Sequence, residues 1–125
     1  MVTQGLEDRM AKMEKQMAEM AKQNAELEHE LGRLQDAREI ENLMSTYEYL
    51  HTCNDHTAIM EMYAKNVDDI YVNIATRGHW AGKDAAQRAW GYFIDNPRYE
   101  KGFMPLHPTT TPIIEVAADR KTAKG

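Results

Sequence analysis

Residues 36–56 read Asp36-Ala-Arg-Glu-Ile40-Glu-Asn-Leu43-Met44-Ser-Thr-Tyr47-Glu-Tyr49-Leu50-His51-Thr-Cys53-Asn54-Asp55-His56. Ile40, Leu43, Met44, Tyr47 and His51 recur at helical spacing, so one face carries packing groups and titratable groups together. The stretch predicts a helix that joins two different kinds of chain. Before it lies a heptad repeat, and after it a mixed helix and strand pattern.

Upstream, Leu6, Met10, Met13, Met17, Met20, Asn24, Leu27, Leu31 and Leu34 alternate in steps of four and three. These are the seam positions of a coiled coil, with Met10, Met17, Asn24 and Leu31 at a and the others at d. Leucine at d with one Asn at a favours a parallel pair, because two Asn24 side chains meet only in register. The same pairing sets Arg9 at g against Glu14 at e of the partner. A docked amphipathic helix rarely keeps so strict a 3.5-residue period. The methionines are packing groups that adapt well and specify poorly, so the expected homodimer through Leu6–Leu34 has modest affinity, with the sheet of the later domain as a second pairing surface. The seam ends at Leu34, since Arg38 and Glu41 occupy the next positions and cannot face a dry interface. Gly32, on the outer face, weakens the helix by about 1 kcal/mol relative to Ala and offers a point of bending.

Composition limits the rest. All ten aromatic residues follow residue 46, so only the later part can build a globular core. The expected organisation is a dimeric coiled coil over 1–35 and a small α+β domain over 36–125. Residues 1–35 carry five Lys/Arg against seven Asp/Glu, and residues 36–125 carry ten against thirteen. With no basic block, nucleic acid is not an expected partner. No apolar run reaches the roughly 20 residues of a membrane span, and no signal-peptide core is present. One cysteine, Cys53, leaves no internal disulfide framework, which fits a reducing, cytoplasmic setting.

Within 36–125, Asn54 or Asp55 is placed to cap a second helix with Ile59, Met62 and Tyr63 inward. Asp69 to Ile74 alternates with period two: Ile70, Val72 and Ile74 on one face, Tyr71 and Asn73 on the other. Arg77-Gly78 supplies a turn into His79-Trp80-Ala81. Lys83 to Asp95 predicts a helix with Ala86, Ala89, Trp90 and Phe93 inward, stopped before Pro97. Asn96 to Leu106 reads as loop. Thr109 to Ala117 is strand-like, with Pro112 confining it to an edge. At Thr122–Gly125 another strand is expected to begin.

Three segments carry a family resemblance: Tyr47-x-Tyr49-x-His51, Gly78-His-Trp-Ala-Gly82 and, most specifically, His107-Pro-Thr-Thr-Thr-Pro-Ile-Ile-Glu-Val-Ala-Ala-Asp-Arg-Lys-Thr-Ala-Lys-Gly125. Together they resemble the SnoaL-like branch of the NTF2-like superfamily, over residues 36–125. The resemblance implies a cone: a bent antiparallel sheet wrapped by helices and open over a pocket, incomplete here because the family sheet has two or three further strands beyond Gly125. Asp119-Arg120-Lys121 stands where the family usually has Asp-Gly-Lys. Family members include polyketide cyclases, scytalone dehydratase, ketosteroid isomerase and many non-catalytic modules.

The resemblance assigns Tyr47 the role of donor to a substrate oxygen, and a phenol in an apolar cavity can stabilise a developing enolate. Tyrosines on core faces also simply pack. His51 and His107 are the acid/base candidates, since an imidazole exchanges protons near neutrality. Tyr71, Asn73 and Trp90 are the expected substrate-side residues, for a small apolar ring ligand. No catalytic carboxylate is evident: Asp55 reads as a helix cap, and no epoxide-hydrolase Asp-Arg-Asp set can be assembled. The cluster His51, Cys53, Asp55 and His56 lacks a second pair to complete a tetrahedral set, so no metal ligands and no cofactor are expected. The expected function is a cofactor-free lyase, isomerase or cyclase, with a binding or dimerisation module of the same fold as the alternative.

Overall fold

The computed structural model describes residues 2–96, 104 and 106–125. Its elements are α1 (Val2–Thr52), α2 (His56–Glu61), β1 (Tyr71–Ile74), β2 (Gly78–Ala81), α3 (Ala85–Asp95), β3 (Glu115–Val116) and β4 (Ala123–Lys124). The architecture is mixed α and β, dominated by one helix of 51 residues. None of the described helices is long and apolar enough to cross a membrane. The chain divides into two compact units, 1–40 with 113–125, and 41–112. This differs from a boundary at residue 35, because the C-terminal hairpin groups with the heptad part of α1.

In the first unit, α1 runs without a break past Gly32, and the seam side chains from Leu6 to Leu34 are exposed. The β3–β4 hairpin pairs Glu115 with Lys124 and Val116 with Ala123. The strand expected to begin at Thr122 is therefore formed within the chain. Arg120 at the hairpin turn donates to both Asp36 oxygens, Nε to Oδ2 at 2.6 Å and Nη2 to Oδ1 at 2.9 Å. Arg33 Nη2 donates to the Val116 carbonyl at 3.0 Å. Gly32 is buried, and a Cβ there would lie 2.6 Å from the Arg120 guanidinium carbon. The glycine serves close approach, not bending. Gly32, Arg33 and Asp36 are heptad positions b, c and f, while Ile114, Glu115 and Val116 lie beside Glu30, Leu34 and Ala37 at g, d and g, so the hairpin reaches the flank of the last seam layer and the seam side chains remain exposed.

The second unit builds a core of Ile59, Val72, Ala85, Ala86, Ala89 and Trp90, flanked by Tyr47, Leu50, Met60, Tyr63 and Phe93 among others. Asp55 caps α2 by accepting the Ala58 N–H at 3.0 Å, and Asn54 takes the left-handed conformation (φ 58°) that turns the chain out of α1. β1 and β2 pair antiparallel, with Val72 opposite Trp80 and Asn73 opposite His79. Gly78 has φ +114°, which frees the turn after Arg77. The small residues Ala85, Ala86 and Ala89 let α3 lie close against α2 and the hairpin. Arg88 Nη2 adds a bond to the Ala81 carbonyl at 2.6 Å.

Two strands are shorter than expected. The first begins at Tyr71 rather than Asp69. Of Thr109–Ala117 only Glu115–Val116 is strand. Pro112 cannot donate to a ladder, and Thr109 spends its hydroxyl on Glu48. The loop expected over Asn96–Leu106 falls mostly outside the described residues.

Ile59 is fully buried and anchors a helix of only six residues. Ile59→Ala is expected to lower stability by about 2–5 kcal/mol, the range for deleting a buried aliphatic side chain. Urea denaturation checks this as a lower midpoint at unchanged slope.

Candidate functional site

One turn of α1 projects Tyr47, Glu48 and His51, at i, i+1 and i+4, toward the core of the second unit. His107 reaches the same place from an irregular segment. Its ring stacks on His51 with centroids 4.8 Å apart and planes 24° off parallel. Tyr47 meets both imidazoles edge-on, at 5.9 Å for His51 and 6.4 Å for His107. The three residues expected to carry chemistry thus converge.

The carboxylate that the sequence search did not find is Glu48. Its Oε2 lies 2.9 Å from His107 Nδ1, and its Oε1 accepts the Thr109 hydroxyl at 2.8 Å. A carboxylate only accepts, so His107 Nδ1 carries the hydrogen and Nε2 is left as the basic nitrogen. This is the arrangement in which an acid orients a histidine base and stabilises its protonated form. The Glu48 side chain is mostly buried at 18% exposure, while that of His107 is open at 59%. The imidazole is open to solvent while its carboxylate partner is shielded.

Beside this pair is an apolar cavity of about 300 Å³ lined by Leu43, Met44, Tyr47, Glu48, Met62 and Tyr63. The Tyr47 pKa is pushed up to about 12, first by burial and then by Tyr63 and Glu48 nearby. At neutral pH it is a hydrogen-bond donor that keeps its proton. It can polarise an oxygen and does not act as a proton shuttle.

The remaining expected residues fall elsewhere. Trp90 is buried against Tyr47, His51 and His56 and forms a wall behind the rings. Tyr71 and Asn73 are exposed on the face of β1 opposite Val72, where Tyr71 stacks on His79 at 5.9 Å. They do not join the cluster. Tyr49 is exposed, as its place on the helix requires. Among the described residues, no three His, Cys, Asp or Glu side chains are grouped to hold a metal ion.

His56 was unexpected. It is 4% exposed, its ring 5.5 Å from His51, 5.7 Å from Trp90 and 4.9 Å from Phe93. Neither ring nitrogen has a hydrogen-bond partner among the described residues, and His51 Nδ1 and Trp90 Nε1 share that condition. Its pKa is held below the ordinary value, chiefly by burial and then by His51, with Asp55 opposing. The signal available in the sequence was position: Asp55 as cap places His56 in the first turn of α2, over the end of α1.

A depressed folded-state pKa gives a definite sign. His56 contributes its full stability above about pH 6.5, its unfolded value, and loses it as pH falls, because the unfolded chain takes up a proton that the fold resists. Urea titrations from pH 7 to pH 5 should show stability falling with pH, with a shallower fall in His56→Leu. Equal slopes would mean that another group governs the acid limb. Neither a protein-family model, nor a curated protein, nor a solved structure matches the chain.

Proposed function

We propose that residues 41–112 form a cofactor-free acid–base pocket of the SnoaL-like kind, a lyase, isomerase or cyclase for a small, largely apolar ring substrate. The observation that carries this reading is the Glu48–His107 pair beside the Tyr47 phenol and an apolar cavity. His107 Nε2 removes a proton from the carbon next to a ring carbonyl. Glu48 stabilises the resulting imidazolium, and Tyr47 donates to the developing enolate oxygen. The proton then returns to a neighbouring carbon or to a leaving hydroxyl. His51, stacked on His107, holds the base in place. The finer fold proposed for the segment after the coil is the NTF2-like cone, and the compartment is cytoplasmic.

Proton abstraction is directly observable on the bicyclic ketone β-tetralone in deuterated buffer, by loss of its α-proton signals. Wild-type protein is expected to accelerate exchange at least about 100-fold over buffer, as positioned general bases do. Tyr47→Phe should remove most of that acceleration, down to the buffer rate as a floor, since one oxyanion donor is commonly worth about 10²-fold or more. His107→Gln should return it to the buffer rate with the circular dichroism spectrum unchanged. Exchange no faster than buffer in wild type would leave the same pocket as a binding module.

A second reading, compatible with the first, is homodimerisation through α1. It is favoured by the exposed seam from Leu6 to Leu34. Sedimentation equilibrium should give twice the chain mass for wild type. Leu27→Glu with Leu31→Glu, which puts charge on the seam, should give one. A wild-type monomer at about 100 μM would exclude the pairing, since even modest coils bind at micromolar levels.

A further inference from the structure

The seam has a chemical asymmetry that dimerisation alone does not use. Its four consecutive positions Met10, Met13, Met17 and Met20 are all thioethers, while the seam beyond Asn24 is Leu27, Leu31 and Leu34. In the single chain these methionines are 54–67% exposed. Leucine at the same positions would pack and specify better. Methionine differs from leucine in one relevant respect, that its sulfur can be oxidised and restored.

We propose that Met10, Met13, Met17 and Met20 form a reversible oxidation site that weakens pairing of the N-terminal half of the coil; this rests on the homodimer reading. A peroxide reacts through the thioether lone pair: an S–O bond forms, the O–O bond breaks, and water leaves. Sulfur is oxidised by two electrons and the peroxide is reduced. The reverse step uses two thiols of a methionine sulfoxide reductase, which become a disulfide as the oxygen leaves as water. Each sulfoxide places a strong, unsatisfied acceptor in an apolar seam, a cost that weakens association about tenfold per buried group. Modest affinity assists the chemistry, because the free chain presents all four sulfurs to solvent. Asn24 already supplies one polar seam layer, so little further loss of apolar contact is needed to part the chains.

The test is sedimentation equilibrium on the full chain in a Cys53→Ser background, because the Cys53 thiol is exposed and would also react. Hydrogen peroxide is the oxidant and peptide mass spectrometry locates the sulfoxides. Met104, exposed at 66%, is the internal reference. Untreated protein is expected to be dimeric. Oxidised protein should dissociate at least about tenfold more readily, and should recover with methionine sulfoxide reductases and dithiothreitol. Replacing all four methionines with leucine should make pairing indifferent to peroxide. Met13→Gln with Met17→Gln, which mimic the polar sulfoxide, should dissociate without oxidant. A monomer before oxidation would overturn the dimer reading and this proposal with it. A dimer whose dissociation constant is unchanged with sulfoxides at all four positions would overturn this proposal alone, as would seam methionines that stay reduced while Met104 is fully oxidised.

Discussion

The uninterrupted backbone ladder of α1, Val2 to Thr52, is the constraint from which the rest follows. In one helix the direction of every side chain is fixed by its position, about 100° per residue. A seam with period 3.5 holds to Leu34, and a second stripe then begins at Ile40 on a different side. The same rigidity fixes Tyr47, Glu48 and His51 on one turn, so the phenol, the carboxylate and the imidazole share a scaffold with little freedom to drift.

The heptads, the order of α2, β1, β2 and α3, and the inward faces of Ile59, Ala86, Ala89 and Trp90 were readable from periodicity. Periodicity reports burial, and Ile59, Ala86, Ala89 and Trp90 are placed by burial. Tyr47, His51 and His107 were readable from residue type together with a family resemblance. Glu48 was not, because adjacent residues on a helix differ by 100° and Glu48 sits at the margin of the apolar stripe, where a carboxylate reads as solvated. Its partners, His107 and Thr109, lie 59 and 61 residues away. Tyr71 and Asn73 illustrate the opposite failure: alternation predicts which residues share a face but not what that face meets.

His56 shows how the site is held at some electrostatic cost. An imidazole among Trp90, Phe93 and His51 gives up hydrogen bonds that water would supply, and burial then favours its neutral form. What it provides is a flat ring that fills the space at the α1–α2 corner and backs His51. A neutral ring there also spares His51 and His107 a buried positive neighbour.

Arg120 follows the same logic at the hairpin turn. A left-handed residue (φ 58°) favours glycine, and Arg120 accepts that strain. A glycine would relax the backbone but would carry no side chain to Asp36. The fork to both Asp36 oxygens holds that carboxyl below the usual carboxylate range, chiefly through the hydrogen bond. The fork reaches Asp36 only because Gly32, one turn back on the same face of α1, has no Cβ in the guanidinium's path. The arginine at the turn and the glycine in the helix are therefore one arrangement: space is given up on the helix so that a side chain can cross it. Placed on the outer heptad face, that crossing secures the hairpin turn, while the hairpin's first strand lies alongside Leu34 and leaves its side chain exposed.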